Sequence, residues 1–290
     1  MARTVLLIHG AWLTPASWDA FRARYEAQGY HCLVPAWPLE NRKISELRRA
    51  PHWDLVRLTV GKIVQHYATL IGTLPEPPIL IGHSLGGLTV QMLLDRGLGA
   101  AGVAIDPAPA RGIYPRPNAL RAALPVLAAW NGWNRMATMT PEQFAWGFAH
   151  LSTPEEQRAP FEQYVVPAPG RLYYQLALGI GTGVNFGNPD RAPLLLISGE
   201  QDRTIEPSMV LQEYARYQRS GAVTEFRSYP DRTHWIIGMP GWEEIADYAI
   251  EWADRNATLH AARRPAVPAL PLGAGAAGGS QQQESAPIIQ

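Results

Sequence analysis

The pentapeptide Gly82-His83-Ser84-Leu85-Gly86 sits between an apolar run at 78–81 and a stretch of helical periodicity at 88–96. A strand that becomes a helix within so few residues forces strained backbone angles on the residue at the bend. The positions two before and two after it must be small, because the two backbones converge there. Gly82 and Gly86 meet that demand on either side of Ser84. The segment therefore requires a buried strand with a helix packed back against it, which is the repeating unit of a parallel sheet.

Other runs extend the unit. Segments 4–8, 31–34, 78–81, 102–105, 193–197 and 224–228 are β-branched or Leu-rich; the first five do not alternate, which predicts burial on both faces. Between them, 17–28 reads as a helix with a Ser cap and Gly29 behind it, and 54–71 as one carrying Leu55, Leu58, Ile63, Tyr67 and Leu70 at helical spacing. The predicted class is α/β: a mostly parallel sheet of about six strands flanked by helices. After Asp106 the alternation stops at Pro107, Pro109, Pro115 and Pro117, and no buried strand returns until 193. Segments 118–127, 140–150, 153–165 and 170–179 in this insertion read as short helices rich in Trp, Phe and Tyr, so a helical cap is expected after the fourth strand. The expected division is a core at 1–112 and 189–258, a cap or lid at 113–188, and a Pro/Ala/Gly-rich disordered tail at 259–290.

With 290 residues, 47% of them hydrophobic, the chain can bury a large core. Lys+Arg and Asp+Glu both number 25, so there is no basic field to gather a nucleic acid or an anionic membrane, and neither partner is expected. No apolar run approaches the roughly 20 residues of a membrane span, and Met1 leads straight into a strand, so a cytoplasmic protein is expected. The single cysteine, Cys32, can form no internal disulfide and is expected to be a buried, inert thiol.

The bend at Ser84 lifts its hydroxyl above the sheet edge, and the helix behind aims the Leu85 N–H at the same spot, where it can bind an oxyanion. A serine needs a base, and the base needs a carboxylate to orient it. Asp202 lies in the loop after 193–197 and His234 in the loop after 224–228, so both follow strand ends. Asp106, also beyond a strand, competes for the acid's role, with Glu200 and Asp231 behind it; His83 and His150 compete for the base's, His83 being expected to point away from its neighbour Ser84. The first strand runs into His9-Gly10-Ala11-Trp12, where a second amide can approach a reacting carbonyl: Trp12, with Ala11 the near alternative, His9 holding the loop. Trp12, Trp146 and Phe148 are candidate substrate contacts. No His-x-x-x-His or paired-cysteine spacing offers a metal site, and no organic cofactor is implied.

Taken in order, Ile8-His9-Gly10, Gly82-His83-Ser84-Leu85-Gly86-Gly87, Gly199-Glu200-Gln201-Asp202 and Thr233-His234 resemble the α/β-hydrolase fold superfamily, as a serine esterase-like member, over about residues 3–256. The resemblance implies a variable cap after the fourth strand and hydrolysis of a small-molecule ester by Ser84, His234 and Asp202, with Leu85 and Trp12 amides holding the oxyanion. Relatives that dehalogenate alkanes or open epoxides carry aspartate where Ser84 stands, which disfavours those reactions. The same triad also serves cofactor-free haloperoxidases or perhydrolases, carbon–carbon hydrolases or lyases and natural-product tailoring enzymes, and a non-catalytic small-ligand binder is a further alternative. Exposed apolar groups of the insertion would mark a homodimer face or a substrate mouth.

Overall fold

The structure, a computed structural model, describes residues 3–263. Its strands in chain order are β1 (Thr4–Ile8), β2 (His31–Leu33), β3 (Ile79–His83), β4 (Ala101–Ile105), β5 (Met136–Ala137), β6 (Ala168–Pro169), β7 (Leu194–Gly199) and β8 (Thr224–Tyr229). Six of them form one sheet in the order β2-β1-β3-β4-β7-β8, with every pairing parallel. β5 and β6 make a separate antiparallel ribbon. Leu6, Leu7, Ile81, Val103 and Leu196 are fully buried, as central strands covered on both faces by helices must be. β2 departs from that expectation, running exposed, buried, half-buried, because it is an edge strand. β8, at the other edge, alternates.

Helices α1 (Asp19–Ala27), α2 (Ile44–Arg49), α3 (Val60–Ile71) and α4 (Leu85–Asp95) precede β4; α5 (Pro117–Leu127), α6 (Pro141–Gly147), α7 (Pro154–Tyr164) and α8 (Gly170–Leu178) lie between β4 and β7; α9 (Pro207–Tyr217) and α10 (Trp242–Arg263) complete the set. The helix expected over 54–71 is two pieces. A 3-10 turn at Trp53–Arg57 ends in extended backbone at Leu58 and Thr59, and the Thr59 hydroxyl then caps α3 by accepting from the Lys62 amide at 3.2 Å. That side chain satisfies a first-turn N–H, which makes Thr59 a boundary rather than an interior position. The stretch at 17–28 likewise opens as a 3-10 turn at Pro15–Trp18. α10 runs to Arg263, so residues 259–263 are helical and not part of a tail; Leu, Ala and Arg favour helix, and the next proline is Pro265. The rest of the expected tail lies outside the described residues. No helix among the described residues is long and apolar enough to cross a membrane.

Parallel register aligns the strand ends, pairing Ile8 with Gly82, His83 with Ile105 and Gly199 with Tyr229. The loops that leave β1, β3, β4, β7 and β8 therefore emerge along one edge, where open α/β sheets place their sites. Behind that edge α4 is fastened to α9 by a buried polar chain: Glu213 accepts from the Gln91 amide at 2.8 Å and the Ala110 N–H at 2.9 Å, and the Tyr217 hydroxyl donates to Gln91 Oε1 at 2.9 Å. Burial pushes the Glu213 carboxyl from 4.5 up to about 8. Between those values the unfolded chain gives up the proton more readily than the folded one, so this group's contribution to stability is full below about pH 4.5 and declines as pH rises towards 8. Glu213→Gln, which keeps the shape without the titration, should melt close to wild type at pH 5 and at least about 2–4 °C above it at pH 9, by calorimetry at both values.

Candidate active site

Ser84 occupies the bend between β3 and α4 with φ 56° and ψ −121°, backbone angles that a residue with a side chain adopts only under restraint. The restraint is visible on both sides. The Ser84 N–H donates to the Ile105 carbonyl at 2.9 Å, and its own carbonyl accepts from Gly87 and Ala108, each at 2.9 Å. A Cβ on Gly82 would collide with the Gly86 carbonyl, and one on Gly86 with the Ile8 carbonyl. One on Gly10 would stand 2.8 Å from Ser84 Cβ, so the loop after β1 passes directly beside the serine. Leu85 opens α4, where a first-turn N–H has no intrahelical acceptor.

The loops after β7 and β8 remain zipped together beyond the strands, Glu200 N–H donating to Tyr229 and Gln201 N–H to Arg232, both at 2.9 Å. This brings Asp202 to His234: Asp202 Oδ2 lies 2.6 Å from His234 Nδ1, both side chains fully buried. Asp202 Oδ1 accepts from the Thr204 and Ile205 amides at 2.6 and 2.8 Å. Burial lowers the His234 pKa to about 3, so the ring is neutral at ordinary pH, with its proton on the nitrogen facing Asp202. Nε2 is then an acceptor, and it has no hydrogen-bond partner among the described residues.

His83, immediately before Ser84, turns its Nε2 to the His234 carbonyl at 2.8 Å and packs its ring 4.6 Å from the His234 ring. Burial and the neighbouring imidazole hold its pKa well below the usual histidine value. The hydroxyl-bearing bend and the imidazole from the far end of the chain thus share one corner of the sheet edge. Phe148 closes that corner from the side, edge-on to His234 at 4.6 Å, and its carbonyl accepts from the Trp235 N–H at 2.9 Å. Thr204 Oγ1 donates to the Gly147 carbonyl at 3.0 Å, so the end of α6 grips both the acid and the base loop.

On the β1 side, Trp12 has φ 65°, and its carbonyl accepts from Val166 N–H at 2.9 Å. His9 is buried, stacks 4.7 Å from Trp37 and lies with Nδ1 3.0 Å from the Gly10 carbonyl; burial lowers its pKa to about 4. A cavity of about 690 Å³ is bordered by Trp12, Trp146 and Phe148 together with Arg121, Met139 and Thr204. Two guanidinium groups approach the Trp146 ring, Arg121 at 4.3 Å and Arg203 at 5.7 Å from its centroid. A second space of about 90 Å³ shares Trp12 and Thr204. Neither cavity is lined by Ser84 or His234; the connection runs through Trp12 and through Phe148, which bears on His234.

Asp106, weighed from sequence as a competitor of Asp202, is brought to the same histidine: His83, Asp106 and His234 each offer an atom within 4.8 Å of the others. These are ligand types a metal could use: His234 Nδ1 is engaged by Asp202 and His83 Nε2 faces a carbonyl, while His83 Nδ1, His234 Nε2 and Asp106 Oδ2 have no hydrogen-bond partner among the described residues. Glu200 and Asp231 are exposed, Glu200 accepting from Ser228. Sequence patterning did not disclose Arg121 or Met139 as neighbours of the site, since each belongs to the insertion and reaches it only by packing; Arg203 and Thr204 follow Asp202 in its own loop, but their contacts with Trp146 and Gly147 are made only by packing.

Residues 5–248 match the model of the alpha/beta hydrolase family. The chain belongs to that family. No curated protein sequence matches this hydrolase. Among solved structures, it is similar to a monoacylglycerol lipase from Paleococcus ferrophilus at 20% identity and TM-score 0.63, over 87% of this chain and 94% of that one. A methylesterase from Arabidopsis superposes with TM-score 0.62 at 15% identity, over 88% and 100% of the two chains. A pyrethroid hydrolase from Sphingobium faniae does so with TM-score 0.60 at 17% identity, over 89% and 100%. These likenesses rest on the fold. The hydrolase's glycine contacts give a direct test of the bend: Gly86→Ala should cost about 2 kcal/mol or more in urea unfolding, because backbone must yield to backbone there.

Proposed function

We propose that this hydrolase cleaves carboxylic esters of small, largely apolar molecules through a covalent acyl-enzyme on Ser84. The observation that carries the proposal is the Asp202–His234 hydrogen bond, buried at the sheet edge that also holds the strained Ser84 bend. In this mechanism Ser84 Oγ attacks the ester carbonyl carbon while His234 Nε2 takes the hydroxyl proton. Asp202 keeps the imidazole in the tautomer that leaves Nε2 free and opposes the positive charge the ring acquires. The Leu85 and Trp12 amides hold the oxyanion, His234 returns its proton to the leaving alkoxide, and a water activated by the same nitrogen releases the acid.

Trp12, Trp146 and Phe148 border the large cavity, which suits an apolar or aromatic acyl or alcohol part, and residues 113–188 serve as the cap over it. Lipase and esterase activities among the structural neighbours are consistent with the ester chemistry.

A fluorophosphonate should label wild type and fail to label Ser84→Ala, with His234→Ala labelled far more slowly. Hydrolysis of a p-nitrophenyl ester should fall about 10⁴-fold or more in both variants, and by about 10²–10⁴ in Asp202→Asn, with melting temperatures near wild type for Ser84→Ala. An adduct that persists in Ser84→Ala would show that the nucleophile is another residue.

A further inference from the structure

Asp106 begins the loop after β4 with φ 42° and is fully buried. Its N–H donates to the Ile197 carbonyl at 2.9 Å, and its Oδ1 accepts from the Gly199 N–H at 2.8 Å. Oδ2 meets no donor among the described residues, and the carboxyl is near enough to that of Asp202 for a hydrogen bond between them once one carries a proton. Two carboxylate oxygens facing each other in a dry site repel, whereas a proton between them turns the contact into a hydrogen bond. We propose that Asp106 is a neutral carboxylic acid whose O–H donates to the Asp202 carboxylate, making it a positioning residue for the Asp202–His234 pair.

The inference rests on the assignment of His234 as base, and the surrounding charges support it. The two carboxyls act on each other, Glu206 acts on Asp202, and His83 and His234 lie beside Asp106; Arg203, next to Asp202 in the chain, carries its guanidinium over Trp146. Both imidazoles are held neutral by burial, so neither compensates two negative charges, and the pair carries one. Donor count decides which member keeps the proton. Asp202 receives two backbone N–H groups and the His234 Nδ1–H, while Asp106 receives the Gly199 N–H. Burial pushes both carboxyls well above the usual carboxylate range; the neighbouring Asp202 pushes Asp106 further up, whereas the Ile205 and Thr204 amides and the contact with Asp106 pull Asp202 back down.

The proton stays on Asp106 throughout turnover. Its O–H restrains the Asp202 carboxylate against rotating away from Nδ1, and the single net charge leaves His234 neutral, hence a competent base, near neutral pH.

The experiment combines the pH profile of kcat/KM for an ester with carboxyl-carbon NMR of protein labelled at aspartate, which leaves the buried glutamates silent. Asp106→Ala should lower kcat about tenfold and shift the acidic limb. Asp106→Asn, a neutral isostere that still has an N–H to offer Asp202, should restore kcat to within a few-fold of wild type and leave the limb in place. Wild type should show one aspartate still protonated at pH 7, lost in Asp106→Asn. A limb that moves down by about one unit or more in Asp106→Asn, as removal of a negative charge beside the imidazole would require, overturns the proposal. So does a wild-type spectrum with every aspartate ionised at pH 7. The NMR measurement needs no turnover: the wild-type spectrum shows whether one aspartate stays protonated, and the folded Asp106→Asn spectrum shows which one, even if no ester is hydrolysed, an outcome that would count against the esterase assignment alone.

Discussion

Where α4 leaves β3, three stretches of backbone meet more closely than a methyl group would allow. Gly86 sits against the Ile8 carbonyl, Gly82 against the Gly86 carbonyl, and Gly10 beside the Ser84 side chain. This contact sets the strain at Ser84, the direction in which α4 departs, and the distance of the β1 loop from the hydroxyl. It is steric and short-ranged, so it tolerates no adjustment by side-chain rotation. It is maintained by the sheet itself, since Ser84 donates to Ile105 and Asp106 to Ile197, extending the β3–β4–β7 ladders past the strand ends.

On that rigid edge the polar groups are dry. His9, His83, Asp106, Asp202 and His234 are all buried, and most of their hydrogen bonds go to backbone or to one another. Removal of water favours neutral imidazoles and fewer charges, and backbone amides then decide which carboxyl remains ionised. Asp202 is held by amides of its own loop, which is in turn held by the loop carrying His234. Orientation and protonation therefore follow from one set of hydrogen bonds rather than from separate devices.

Several contacts between the insertion (between β4 and β7) and this edge fall on or beside the site residues. Phe148 bears on His234, Thr204 beside Asp202 bonds to Gly147, and Val166 holds the Trp12 carbonyl. Trp12 borders both cavities, so the loop expected to offer an oxyanion donor also shapes the space available to a substrate. A change in how the insertion packs would reach the imidazole and the Trp12 loop together.

Much of the architecture was legible in the amino-acid order, because short buried runs followed by helical periodicity admit few arrangements, and because Gly82 and Gly86 around Ser84 demand a strand-to-helix bend. Edge effects and caps were not: the exposure of β2 depends on what lies beside it, and the break at Thr59 on a hydroxyl choosing a backbone amide over solvent. The sequence alone determined the residue types available at each strand end, since local steric demands leave little freedom there. Only tertiary structure decided that Asp106 and Asp202 both reach His234, that His83 braces its carbonyl, and that α5 and α6 wall a cavity with Trp12. Those outcomes depend on strand order and on helix packing between segments far apart in the chain, which no local pattern encodes.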